Sequence, residues 1–562
     1  WVTASGGHGG NADSFFDGGD GGTISISGQG TTVTATGNDD VGDIGNGHKS
    51  NGGSLSVTDG AKLEMTNTGT NITDPEYRNC SITDKDGITV HYDNKGKEVK
   101  ITEEGGIKII AGEGGEVDYT DGSGFTLSRN GAYTISGDWS GSLNANQSTP
   151  KAVITVPDTV TADVTLNSVN IDMTVPYYAC AFAVEGNGTA NITLSGSNLL
   201  TSASARAGLE VPENAECTIT GGSSDTLTAT GGYYSAGIGG GYRHSGGTIT
   251  ISGGTVTANG GAGSSGGGGG AGIGGGMSGD GGTIEISGGT VNATGRDNGA
   301  GIGGGGGIVS DDGGGGGKIN ITGGVVTATG DANGAGIGGG GTEDGSGGSA
   351  GTIVINGNTV IFAATGNNGV PIGSGGNWTN NGEKAGILTG GVIFEGTEGT
   401  VYGSSSLPED LKISNGSTLT VPDGSILTIP DNTILTNNGT LDNYGTIDGN
   451  GSITNNGTIN DHSGGISANV TGTGVNNKPS EITVTFQNSK GETITEAVSG
   501  DTITITATAQ TKTTSASYRS AAKEKVDFYI GTIAEDHKIG TADVVADSST
   551  AAATLTIPLS GD

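Results

Sequence analysis

Between Glu216 and Gly376 the chain alternates apolar and polar residues in short runs, and the runs recur about every 35 residues. Thr283-Ile284-Glu285-Ile286-Ser287 is one such run. Period-2 alternation predicts a strand with one buried face. A first marker falls at Ile219, Ile249, Ile284, Ile319 and Ile353. A second falls at Leu227, Val256, Val291, Val326 and Val360, and a third at Ile238, Ile273, Ile302, Ile337 and Ile372. Three short strands per repeat, joined by Gly-rich corners, predict one coil of a parallel β-helix. Fixed-period self-similarity is the mark of such stacked architectures. The fold class is therefore all-β. Gly and β-branched residues are poor helix formers, which excludes a helical bundle.

The same unit appears earlier, at Thr23–Ile26, Val33–Thr36 and Val41–Gly45, and Val2-Thr3-Ala4 matches its second strand. The chain is thus expected to begin inside a coil. Residues 74–102 break the pattern, and Ile88–Tyr92 with Glu98–Ile101 reads as a hairpin. This insertion is expected to project from the solenoid. Tyr177–Phe182 and Arg206–Leu209 align with Tyr233–Ile238, so the third marker continues backward through Leu209 to Phe182. Beyond Gly376 the repeat shortens, and its Asn-Gly pairs suit corners with positive φ. Regularly placed Asn residues, including Asn298, Asn333 and Asn368, are expected to stack as side-chain ladders. The domain reading is a β-helix over 1–460, a linker over 461–478, and a small β-sandwich over 479–562 that ends before its last strands.

Composition narrows the function classes. Glycine supplies 118 residues without a Gly-X-Y period, so collagen is excluded. A net charge of −35 argues against nucleic acid and anionic membranes as partners. No run of about 20 apolar residues is present, so no transmembrane helix is expected. Cys180 and Cys217 lie in alternating apolar contexts and are expected in the core.

Stacking makes neighbours of side chains far apart in sequence. One column precedes the third strand and carries Tyr177, Tyr178, Arg206, Tyr233 and Tyr234. Tyr faces stack on sugar rings and the phenol offers a hydrogen bond. Plain packing outside the helix is the alternative. A second column follows the third strand and carries Tyr242, Arg243, His244, Asp280, Asp311 and Asp312. Glycoside hydrolysis needs two carboxyl groups about 5–9.5 Å apart, which adjacent or next-but-one coils supply. Asp280, Asp311 and Asp312 are therefore the candidate catalytic acids, with the Tyr, Arg and His residues of both columns binding substrate. Solvated acidic loops are the alternative reading. Glu185, Glu210 and Glu213 flank the tyrosines as further acids. No cofactor is implied, although Asp39, Asp40 and Asp43, like Asp311 and Asp312, cluster as calcium ligands do.

The segment from Val526 to Pro558 resembles bacterial Ig-like modules, through its Val-Asp-Phe-Tyr run and its Ala-Thr-Leu-Thr-Ile-Pro ending. The repeats, together with Leu407–Ile447, resemble right-handed β-helix proteins of Firmicutes-type cell surfaces. That resemblance implies an extracellular, surface-tethered protein, attached through a part of the chain not present in this sequence. It leaves two functions open. One is a glycoside hydrolase acting on host or plant glycans. The other is a non-catalytic adhesin or stalk that binds glycan or protein.

Overall fold

The computed structural model describes side chains over residues 100–477 except 264–266 and 310, and in short stretches at 484–496, 502–506, 540–542 and 554–557. Elsewhere it describes only the backbone of individual strands. The central part is a parallel β-helix with three strands per coil. Its first face stacks Thr189–Ser195, Glu216–Thr220, Thr248–Ile251, Thr283–Ile286 and Lys318–Ile321 in parallel register. Its second face stacks Ser197–Thr201, Thr226–Thr230, Thr255–Asn259 and Thr290–Thr294. Its third stacks Lys151–Val156 and Ala179–Val184 on a column of two-residue strands, Leu209–Glu210, Ile238–Gly239, Ile273–Gly274 and their successors.

Marker residues from all three faces meet in one core. Ile249, Ile284 and Ile319, Val256 and Val291, and Ile273 and Ile302 are all fully buried. Each buried aliphatic side chain contributes about 1.5–3 kcal/mol relative to exposure, so the column of identical residues is the main support of the stack. Small corners are required where coils touch. At Gly274 the backbone has φ of +131°, and a Cβ would lie 2.1 Å from the Gly303 carbonyl oxygen of the next coil. Only glycine adopts that conformation without strain.

The second marker is corrected at its last member. Val326 pairs with Ile361, not Val360, because the register shifts by one residue after Ile321. Ile361 points into the helix core and Val360 points out. The outward Val360 is nevertheless buried, because a second core covers it. Gly391–Glu395 pairs in parallel with the preceding coil, then turns into an antiparallel partner, Glu398–Tyr402. From there, narrow coils stack in parallel through Thr418–Val421, Thr440–Asn443, Thr458–Asp461 and Val475–Asn477. Ile361 and Ile393 belong to the wide core, whereas Val360, Val392 and Phe394 belong to the narrow one. The two cores therefore lie on opposite faces of the shared strands. Strand direction and core side reverse together, so the winding sense is kept.

Three boundaries change. The expected linker over 461–478 is the last coil as far as Asn477, because Asn469–Thr471 and Val475–Asn477 pair with the strands above. The expected projecting insertion at 74–102 is instead built into the sheet. The hairpin Thr89–Tyr92 and Glu98–Glu104 forms, but its outer strands pair with Cys80–Thr83 and with Ile107–Ala111. Ile107–Ala111 in turn pairs antiparallel with Gly131–Asp138. Four reversals restore strand direction, so the insertion joins two parallel stacks. The C-terminal strands form one five-stranded antiparallel sheet, and among the described residues no second sheet packs on it. Val2–Ser5 pairs in parallel with the strand Thr32–Thr36.

Candidate functional site

The third face shortens abruptly. Ala179–Val184 is a six-residue strand, whereas Leu209–Glu210 and Ile238–Gly239 have two residues each. The corners before and after this face therefore converge. The Tyr242 N–H donates to the Ala205 carbonyl at 3.1 Å, which folds the second column back onto the first. The result is an open cleft of about 410 Å³, lined among others by Tyr178, Glu185, Arg206, Glu210, Tyr242 and His244.

Arg206 and Glu210 form its base. Arg206 Nε donates to Glu210 Oε2 at 2.7 Å, with the two side chains only 11% and 15% exposed. The same carboxylate oxygen accepts the Ala207 N–H at 3.1 Å, and Arg206 Nη1 donates to the Tyr178 carbonyl at 3.4 Å. Burial works against the guanidinium charge, but the Glu210 carboxylate together with Cys180 and Glu185 outweighs it and raises the Arg206 pKa. The pair is fixed in place. Glu185 is exposed at the cleft wall, and among the described residues no cation lies within 4 Å of it.

The tyrosines split into two groups. Tyr178 and Tyr242 line the cleft, while Tyr177 and Tyr233 are 67% and 54% exposed on the neighbouring corner. Tyr234 links the groups, with ring centroids 6.3 Å from Tyr233 and 5.4 Å from Tyr242. Tyr178, Ala205 and Tyr234 occupy the same corner position in three successive coils, at φ of 66°, 70° and 71°. A bulky residue in this region costs of order 1 kcal/mol, whereas Asn298 fills the same position lower in the stack at ease.

The three candidate acids each have a fixed partner. Asp280 Oδ1 accepts the Gly315 N–H at 2.7 Å, and Asp312 Oδ1 accepts the Ser346 N–H at 2.7 Å, each from the following coil. Asp311 Oδ2 receives Arg243 Nη2 at 2.6 Å across two coils, and the Arg243 guanidinium lies 5.6 Å from the Tyr242 ring centre. Asp280, Asp311 and Asp312 are not among the residues lining the cleft. Among the described residues no three His, Cys, Asp or Glu side chains converge as a metal site would require. Asp39, Asp40 and Asp43 lie outside the described residues.

Sequence reasoning assigns substrate binding to residues of both columns, but it does not show that the two corners touch. It also misses Gln147 and Pro150, which close one end of the cleft from the coil above. The available signal is the loss of the long apolar run of Ala179–Val184, replaced by Leu209-Glu210-Val211-Pro212 in the next coil and by Ile238-Gly239-Gly240-Gly241 in the one after.

The β-helix repeat family matches residues 218–242, 284–306 and 319–341, which agrees with a right-handed β-helix. No curated protein matches the chain, and no solved structure matches it.

Proposed function

We propose that the cleft between Tyr178 and Tyr242 binds carbohydrate, and that the β-helix displays it outside a bacterial cell. The observation that carries this reading is the meeting of two tyrosines, the fixed Arg206–Glu210 pair and the exposed Glu185 in one open cleft. Aromatic faces suit sugar rings, and carboxylates accept sugar hydroxyls. Polar groups already locked in place lose little freedom when a ligand arrives. Surface display accords with the cell-surface proteins that the repeats resemble. The test is a glycan array followed by calorimetric titration. Binding is expected in the parent protein and should weaken at least about tenfold in Tyr178→Ala and Tyr242→Ala, the loss of about 1.4 kcal/mol. Full affinity in both variants, or no binding to any glycan, refutes the reading.

A second reading, glycoside hydrolysis, is favoured by one observation: Glu185 and Glu210 line the same cleft. Glu210, held by Arg206 and by the Ala207 N–H, suits a nucleophile or base, and the exposed Glu185 suits the acid. Sugar release that disappears in Glu185→Gln and Glu210→Gln supports cleavage there. Loss in Asp280→Asn, Asp311→Asn or Asp312→Asn with the glutamates intact would move the chemistry to the acidic corner. Absence of release from every glycan that binds leaves an adhesin.

A further inference from the structure

We propose that the cleft selects glycans carrying free amino groups, such as oligomers of glucosamine, over their acetylated or acidic counterparts. This rests on the carbohydrate reading above and names the ligand class.

The argument begins with charge. Arg206 and Glu210 face each other at 2.7 Å, and the Glu185 carboxylate acts on the same guanidinium from further away, so the three groups carry one surplus negative charge. Arg206 Nε and Nη1 are already given to Glu210 and to the Tyr178 carbonyl, which leaves the guanidinium poorly placed to clamp a carboxylate. The surplus charge on the wall is that of Glu185. A uronic or sialic acid entering the cleft would meet this carboxylate and a chain of net charge −35. An ammonium group would meet both favourably.

The aromatic lining points the same way. A cation is attracted to the face of a tyrosine ring, and more strongly once desolvated. Tyr242 already holds one cation, the Arg243 guanidinium, 5.6 Å from its ring centre. That guanidinium is otherwise engaged, by Asp311 Oδ2 at 2.6 Å and by the Tyr242 hydroxyl at 3.2 Å. A carboxylate that shares one cleft with Tyr178 and Tyr242, and that has no protein cation within 4 Å among the described residues, suits an amine, with Tyr178 the ring not already engaged by Arg243. An acetylated amine keeps the ring and hydroxyls but loses the charge, so comparing the two isolates this term. Both contributions are of the exposed kind, about 0.5–1 kcal/mol each, and together correspond to about a tenfold preference.

The experiment compares a glucosamine hexamer, its fully N-acetylated counterpart and a galacturonate hexamer by calorimetry at low salt. The amine hexamer is expected to bind about tenfold more tightly than the acetylated one. The preference should shrink at 0.5 M salt, where exposed charges are screened. It should disappear in Glu185→Gln, which alters one charge and leaves the scaffold unchanged. Equal binding of amine and acetylated hexamers, tighter binding of galacturonate, or an unchanged preference in Glu185→Gln overturns the proposal while leaving carbohydrate binding intact. Failure of all three hexamers and of every array glycan overturns both.

Discussion

Asn333 offers a direct measure of what the side-chain ladders are worth. It is 1% exposed, and its Nδ2 donates to Asn298 Oδ1 at 3.0 Å and to the Thr342 carbonyl at 2.7 Å. Its own Oδ1 accepts from Asn368 Nδ2 at 3.0 Å. In Asn333→Ala the Thr342 carbonyl loses its donor, and Asn298 Oδ1 keeps only the weak 3.4 Å bond from the residue 333 N–H. Asn368 is half-buried and can turn to water. A buried acceptor left without a donor costs about 1–3 kcal/mol, so the two together should cost about 2–4 kcal/mol. Asn456 is the control, because it makes one ladder bond, 3.0 Å to Asn438, and that bond is exposed. Asn456→Ala should stay within about 0.5 kcal/mol of the parent. A stacked solenoid need not unfold in one step, so a global midpoint is the wrong observable. Native-state hydrogen exchange over residues 296–306 and 331–342 reads the local opening energy. Asn333→Asp, of nearly the same shape, should cost at least as much as Asn333→Ala, because a carboxylate then faces two oxygens. Equal costs for Asn333→Ala and Asn456→Ala, or a cost below about 1 kcal/mol for the former, would refute the reasoning.

Three further outcomes follow. Gly274→Ala should lower stability by at least about 3 kcal/mol, whereas Gly222→Ala, whose Cβ would meet only the movable Asp225 carboxylate, should be tolerated; similar melting curves for the two would count against the stacking argument. Burial pushes the Cys180 thiol up to about 11 and the Cys217 thiol up to about 12. At pH 8 both should resist alkylation until the protein is denatured, and peptide mapping that finds them modified in the native state contradicts this. Asp311→Asn removes a half-exposed ion pair with Arg243 and should change stability by no more than about 1 kcal/mol; a larger loss by thermal melting would show that the bridge across two coils supports the stack.

The scaffold is legible in the sequence because one side-chain period governs it. Ile273, Ile302 and Ile337 occupy equivalent positions, so their registry and their burial follow from repetition alone. The shift from Val360 to Ile361 is invisible for the same reason. One extra residue at a bend changes which face is inward, and the narrow core that makes an outward Val360 acceptable lies beyond the repeat. The cleft is harder to read. Its tyrosines and glutamates are visible as departures from Gly and Asn, but whether the two corners touch depends on the length of the third strand. That length is set by where the apolar run stops, a weak signal beside the repeat itself. At the acidic corner Asp280 and Asp312 each accept a backbone N–H of the next coil, and a sequence cannot separate that stacking bond from a catalytic spacing.

The sideways step at Gly391–Tyr402 gives the molecule two gauges when it is stretched. A wide coil such as Ile302 to Ile337 stores 35 residues, and a narrow one such as Asn437 to Asn455 stores 18. At roughly 3.4 Å per residue, each wide coil pulled free lengthens the chain by about 120 Å, and each narrow coil by about 60 Å. A tether under load would pay out in short increments from one side of the step and long ones from the other. The step also carries the line of pull from one core to the other, and the cleft lies several coils away on the wide side.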